Sequence, residues 1–429
     1  VKSLGGGLLD VGNCITATPD GGYVLTGGTY SDNVDFKGMN NGDRDIFFIK
    51  LDSLGNVQQK KTFGGSRSDD GVSVITTLDG GYVLTGETYS IDGDFKGINK
   101  ETGSIFIIKI DSRATIQWKR TFGGSEREFC NSITATPDGG YILSGGTESN
   151  DRDFVGSNRG GFDIFVIKLD QRGEVQWKKY FGGSQGELGH SITSTSDGGY
   201  VLTGYSGSND GDFEGMNKGV DDIIVIKIDS LGNVLWKKTY GGEHFDQGNT
   251  ITLSPDDGYV LTGWTRSNEG DFTAINEDNT IQIFVMKLDP LGDVEWKRVY
   301  DGSETLAAGR SITTTPDGGY VLTGETLSYE VVDDESYPQG YIFVLKLDQR
   351  GDILWKRRFG GKSERENSKS IATTHDGGYI LTGSSDFNTD DFKRINLKSK
   401  MNKGGGDIFV IKLDKNGTLQ PAEKNSRKR

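Results

Sequence analysis

The stretch Ser191-Ile192-Thr193-Ser194-Thr195-Ser196-Asp197-Gly198-Gly199-Tyr200-Val201-Leu202-Thr203-Gly204 decides the fold. Apolar and polar residues alternate before Asp197, and the run after Gly199 is rich in strand formers, so two strands are predicted around a tight turn. Asp-Gly-Gly suits that turn, because glycine takes up the positive φ angles that a short hairpin needs. A polar loop follows from Ser208 to Val220. Ile223-Ile224-Val225-Ile226-Lys227-Ile228 then reads as a strand buried on both faces. A second turn, Asp229-Ser230-Leu231-Gly232-Asn233, leads into Val234-Leu235-Trp236-Lys237-Lys238-Thr239-Tyr240. The unit is four strands with no helical period.

The unit recurs along the whole chain. The turn tyrosine falls at Tyr23, Tyr82, Tyr141, Tyr200, Tyr259, Tyr320 and Tyr379, at intervals of 59, 59, 59, 59, 61 and 59 residues. Repeat five spells the turn Asp256-Asp257-Gly258. Seven four-stranded units predict an all-β, seven-bladed β-propeller with four strands per blade, since radial repetition leaves few exposed strand edges. A β-solenoid is the rival architecture, but solenoid rungs are usually much shorter. Repeat seven reaches Asp407–Asp414, turns at Asn416-Gly417 and lacks the Trp-bearing strand. Val1-Lys2-Ser3-Leu4-Gly5-Gly6 aligns with Lys119-Arg120-Thr121-Phe122-Gly123-Gly124 and supplies it. The N-terminal strand is therefore expected to complete the last blade and close the ring, with the propeller over 1–420 and a tail over 421–429.

Composition supports a folded chain. There are 65 glycines, 7 prolines and 10% aromatics, unlike the aromatic-poor sequences of disorder. A net charge of −14 has the wrong sign for a polyphosphate partner, so no nucleic acid is expected. Cys14 and Cys130 stand at non-equivalent positions of repeats one and three. A disulfide between them would have to skip a blade, so two free, buried thiols are expected. No apolar run is long enough to span a membrane, and no direct membrane insertion is expected.

The run Gly-Gly-Ser, Asp-Gly-Gly-Tyr, Asp-Ile-Phe-Val-Ile-Lys-Leu-Asp, Gly-Asn-Val-x-Trp-Lys-Lys resembles tandem repeats of secreted and surface proteins of bacteria. Its second half is similar to the tryptophan-docking motif of quinoprotein-type propellers, with an Asp seven residues before Trp in Asp111/Trp118, Asp170/Trp177, Asp229/Trp236, Asp289/Trp296 and Asp348/Trp355. The resemblance implies a propeller in an extracellular or cell-surface setting. Gln59 replaces the tryptophan in repeat one and Pro421 in repeat seven, and seven blades without a vicinal Cys pair do not imply a quinone. The five tryptophans are read as structural wedges between blades, since large aromatics dominate such packing.

Function is expected on the face that carries the long loop of each repeat, because binding residues concentrate on loops held by a rigid scaffold. Five of these loops carry Asp-Phe at Asp35, Asp94, Asp153, Asp212 and Asp271, with Asp391 in repeat seven. An Asn follows four residues after the Phe, at Asn40, Asn99, Asn158, Asn217, Asn276 and Asn396. This recurrence reads first as turn architecture. In repeat four, Asp210, Asp212 and Glu214 set oxygens at alternate positions before Gly215, with Asp221 beyond, which is spacing that suits calcium. Lys37 and Lys96 at the position of Glu214 confine that reading to repeat four; otherwise no cofactor is expected. Repeat six departs with Tyr329, Asp333, Asp334 and Tyr337, and repeat seven with a basic insertion containing Lys398 and Lys400. These neighbouring loops of opposite charge are the candidate ligand-binding patch, against a background of tolerated loop drift.

The catalytic inventory is thin. His190, His244 and His375 show no metal-ligand spacing, and no nucleophile elbow or phosphate-binding loop occurs. The leading expectation is a non-enzymatic extracellular or surface propeller that binds a protein or glycan, as a monomer or as a module of a larger assembly. The alternatives are a secreted glycosidase or lyase with carboxylates near the channel, and a structural spacer.

Overall fold

The computed structural model describes residues 1–99, 103–273, 280–300, 306–332, 335–360, 366–386 and 404–420. It contains seven antiparallel four-stranded sheets arranged in a ring. The chain is a seven-bladed β-propeller. Blade one runs Asp10–Ala17, Tyr23–Thr29, Asp45–Leu51 and Val57–Phe63, in that order across the sheet. Blade seven is built from Asn367–Thr373, Tyr379–Ser385 and Asp407–Leu413, and its fourth strand is Lys2–Leu4, paired Lys2↔Val410 to Leu4↔Ile408. The N-terminal strand thus closes the ring.

The inner strands are Asp10–Ala17, Asp69–Thr76, Glu128–Ala135, Glu187–Ser194, Asp246–Leu253, Leu306–Thr314 and Asn367–Thr373. Each contacts the inner strand of the next blade, and the last contacts the first. Second and third strands are buried almost throughout, as in Val24, Leu25, Phe47 and Ile49. Burial on both faces explains their near-continuous apolar runs.

The predicted wedge is visible at five seams. Trp118, Trp177, Trp236, Trp296 and Trp355 each lie against the turn tyrosine of the following blade, with ring centroids 5.7–6.2 Å apart. That tyrosine follows the Asp-Gly-Gly turn, whose aspartate holds a lysine of the third strand in every blade, from Lys50–Asp20 at 2.6 Å to Lys412–Asp376 at 2.7 Å. Lys109, Lys168, Lys227, Lys287 and Lys346 are at most 4% exposed at the side chain. A buried ammonium needs such a partner, and the pairing accounts for both halves of the repeat motif.

The Asp-Phe loops fold as short 3-10 turns, such as Gly211–Phe213, with Phe36, Phe95, Phe154, Phe213 and Phe272 buried. Their aspartates receive the amide of the first glycine entering the blade: Gly5 N donates to Asp35, Gly64 to Asp94, Gly123 to Asp153, Gly182 to Asp212 and Gly241 to Asp271, at 2.9–3.2 Å. The second glycine donates to the first acid of the inner strand, as in Gly65 N to Asp69 at 2.9 Å. The Asn side chains reach back to strand-end carbonyls, as Asn99 does to Ser90 O at 2.8 Å. The recurrence is architecture, as its turn chemistry implies. Asn276, Asp391, Phe392 and Asn396 lie outside the described residues.

Blade six differs from the expected loop. Its second and third strands lengthen to Tyr320–Val332 and Glu335–Leu347 and pair out to Val332↔Glu335. Without the Asp-Phe motif nothing turns the chain after Leu327, and the alternating, β-branched run that follows continues the strand.

Candidate functional site

Each inner strand is irregular at one point. The register shifts between Gly12 and Cys14, Gly71 and Ser73, Cys130 and Ser132, Gly189 and Ser191, Gly248 and Thr250, Gly309 and Ser311, and Ser368 and Ser370. The residue left unpaired is Asn13, Val72, Asn131, His190, Asn249, Arg310 or Lys369. A bulge re-aims a side chain, and here it is re-aimed around the ring. Asn13, Asn131 and Asn249 donate to the next blade's carbonyl at Gly71, Gly189 and Gly309, at 2.7–3.1 Å. His190 Nδ1 lies 3.0 Å from Gly248 O. Burial pulls its imidazole down to about 4, so the ring is neutral and donates that bond.

These positions, with those beside them at the strand ends, form the mouth of the channel on the long-loop face. They vary from blade to blade while the scaffold repeats. Over blades one, two, six and seven the mouth is charged. Arg44 pairs with Asp70 at 2.9 Å, and Asn13 Nδ2 donates to the same carboxylate at 3.1 Å. Gly28 leaves room for this: a Cβ there would run into the Arg44 side chain and Asp70. Arg310 holds Glu325 at 2.5 Å. Glu87 stands opposite Asp70 on the paired strand. Burial pushes Asp70 up to about 6 against the pull of Arg44, and burial together with Asp70 pushes Glu87 up to about 7.

Lys369 completes the group without an ion pair among the described residues. Burial, with Arg310 beside it, draws its ammonium below the usual lysine range, while Glu325 and Asp70 favour the charge. Lys369 and Arg44 line one open depression of about 760 Å³, together with Asn13, Asn367 and Ser384. Three buried polar atoms at this mouth lack a hydrogen bond, namely Arg44 Nε, Glu325 Oε2 and Asn367 Oδ1. Others lie in the scaffold, among them Asp45 Oδ1, Asp163 Oδ1 and Asp222 Oδ1.

Over blades three to five the mouth turns aromatic. Phe129 and Phe162 lie in tilted contact with centroids 5.2 Å apart, and the His190 ring lies 5.5 Å from that of Tyr205. Leu188 fills the space over Gly146. Trp264 is half-buried at the position equivalent to Tyr205, and Gln247 donates to Asp221 at 3.1 Å.

The residues singled out by sequence fall elsewhere. Asp210 caps Ser184 N at 2.8 Å, and Asp212 accepts from Gly182 N and, at 2.6 Å, from Arg159. Glu214 is exposed, and Asp221 turns inward to Gln247. The four carboxylates are not gathered, and no set of three or more potential metal ligands occurs among the described residues. Asp333, Asp334, Lys398 and Lys400 lie outside the described residues, as do the side chains of Tyr329 and Tyr337. Cys130 is buried, its thiol pushed up to about 12, whereas Cys14 is half-buried rather than buried; both are free. Sequence reading missed the channel mouth because its signal is variation at one fixed register position. An alignment of the seven repeats at the residue after Gly12 would have displayed it.

Comparison with known proteins agrees with a repeat propeller. A family model described as a divergent InlB B-repeat domain matches residues 237–290. An uncharacterized WD repeat-containing protein of Acanthamoeba polyphaga mimivirus is 22% identical over 415 aligned residues, covering 74% of this chain and 30% of the relative. The chain therefore spans under a third of the length of that relative. Among solved structures, puromycin hydrolase aligns with a TM-score of 0.51 at 10% identity, over 96% of this chain and 53% of that one. This likeness shows the fold alone. A protein of unknown function from Dyadobacter fermentans aligns at 0.43 and 12% identity, over 79% and 92% of the two chains.

Proposed function

We infer that this protein is a non-enzymatic recognition propeller of an extracellular or cell-surface assembly, and that it takes a protein or glycan ligand at the channel mouth. The observation that carries this reading is the contrast between seven near-identical blades and one mouth whose lining is charged on one side and aromatic on the other. Concave sites with a few convergent polar groups on an apolar wall are where ligands bind. The surface setting rests on the resemblance of the repeat to secreted and surface repeats. Glycan and peptide arrays, probed with and without a calcium chelator, test the reading. Saturable binding supports it, and binding that fails only under chelation makes a cation part of the ligand contact. Silence on both arrays removes it in favour of a structural spacer.

A second reading is favoured by one observation. Near neutrality Glu87 is only partly ionised opposite Asp70, whose carboxyl lies lower at about 6, and such a split is what a general acid beside a second carboxylate needs. A secreted glycosidase or lyase would use that pair. Release of sugar from polysaccharides by the wild type, abolished in Glu87→Gln, would establish it.

A further inference from the structure

The charge count at the mouth is unbalanced. Arg44 and Arg310 are each neutralised by a direct carboxylate partner, Asp70 and Glu325. Lys369 faces these same four groups and has no direct partner among the described residues. Glu87, beside Asp70, carries only part of a charge at neutral pH. The cation is not displayed to bulk water as surface lysines are. It lines the depression between blades seven and one, where its ammonium is partly desolvated. A partly buried charge without a partner is costly, and an anion entering the depression would relieve that cost.

The rest of the lining narrows the anion. Asn13, Asn367 and Ser384 share the depression, and the Asn367 carbonyl oxygen is buried without a hydrogen bond. Such amide and hydroxyl groups match a ligand dense in hydroxyls. Phe129, Phe162, Tyr205 and Trp264 stand on blades three to five, across the ring from blade seven. Aromatic faces there suit the flat C–H surface of a sugar ring, which is apolar while its edge is polar. Phosphate-rich polymers fit poorly, because only one cation is left unpaired and the chain as a whole carries −14.

We propose that the channel mouth binds an acidic glycan, with a uronic-acid carboxylate held by Lys369 beside Arg44 and neighbouring sugar rings resting on the aromatic side. This rests on the recognition reading above and names its ligand class. Lys369 is a direct ligand contact, and Asn13, Asn367 and Ser384 hold the hydroxyl edge.

Titration calorimetry tests it with three probes: an oligomer of galacturonic acid, the matching neutral galactose oligomer, and an oligoglutamate peptide. The uronate oligomer is expected to bind, with the neutral oligomer about ten- to a hundredfold weaker, the scale of losing one hydrogen bond to a charged group. Lys369→Met is expected to erase that difference, and Lys369→Arg to keep it, which separates loss of charge from misfolding. Equal affinity for both oligomers, or uronate binding unchanged in Lys369→Met, overturns the inference and leaves recognition at the mouth standing. Binding of the peptide alone replaces the glycan with an acidic protein partner. Absence of binding to all three overturns the uronate inference. Array binding lost on changing Phe129 and Trp264 would still support recognition in that case, whereas silent arrays would end both readings.

Discussion

The indole of Trp118 occupies the space that a Cβ on Gly173 would need, its nearest ring carbon 2.7 Å from that position. The same relation joins Trp236 to Gly292 and Trp296 to Gly351, at 2.9 and 2.7 Å. Each of these glycines also holds a positive φ, +77° at Gly173. In blade two the equivalent residue is Ala114, at φ +57°, and the residue facing it from blade one is Gln59 rather than tryptophan. The missing indole and the extra methyl occur together at one seam. Gly173→Ala is therefore expected to destabilise the fold by about 1–3 kcal/mol through overpacking and backbone strain, measured by urea unfolding.

The Gln59–Ala114 seam gives the reciprocal experiment. Gln59→Trp alone is expected to cost about 1 kcal/mol or more through collision with the Ala114 methyl. Combined with Ala114→Gly it should recover that loss and gain an aromatic contact with Tyr82. A double-mutant cycle with no coupling between the two positions would show that the seam is not organised in this way.

The lysine–aspartate clasp of each blade is expected to matter more than a surface ion pair. Asp138→Asn leaves Lys168, with 2% of its side chain exposed, without its counter-charge. Asp138 itself is 52% exposed, and solvent screening limits the expected loss to about 1–3 kcal/mol. The paired carboxylates lie low, Asp20, Asp79, Asp197 and Asp256 at about 2. Their contribution is present above the unfolded carboxylate value near 3.8 and is lost as pH falls toward 2.

A second group of acids acts in the opposite direction. Burial raises Asp45 and Asp163 to about 7 and Asp222 to about 6. A carboxyl that keeps its proton longer when folded stabilises fully below its unfolded value, and that contribution fades as pH rises through the folded value. Stability is therefore expected to peak near pH 4 and to decline between about pH 4 and 7. Urea midpoints across that range check it, and Asp163→Asn should flatten the decline. A flat profile in the wild type would contradict these shifts.

The blades were legible because their physics repeats. Asp-Gly-Gly-Tyr, the apolar run ending in Lys-Leu-Asp and the Trp-Lys-Lys strand recur with a fixed period, so each seam restates the same packing problem. The closure by Lys2–Leu4 followed from the strand missing after Gly417. The mouth was not legible in that way. His190, Arg310 and Lys369 are all basic but follow no fixed motif, and only their common bulge position brings them to the axis. The loop aspartates drew attention because they recur, yet recurrence served the Gly-Gly amides at the blade entrances. Blade six was misread as a loop because its run after Leu327 carries acidic residues within a strand-forming pattern.

The measurement that decides the account compares three proteins on the same glycan and peptide arrays: wild type, a mouth variant carrying Phe129→Ala and Trp264→Ala, and a turn-face variant carrying Leu231→Ala and Leu291→Ala. Leu231 and Leu291 are exposed at 70% and 66% on the opposite face, so the turn-face variant should keep the fold, and circular dichroism would verify the fold of both variants. The expected result is ligand binding by the wild type and the turn-face variant and none by the mouth variant. Binding retained by the mouth variant and lost by the turn-face variant would contradict the assignment and move recognition to the opposite end of the propeller.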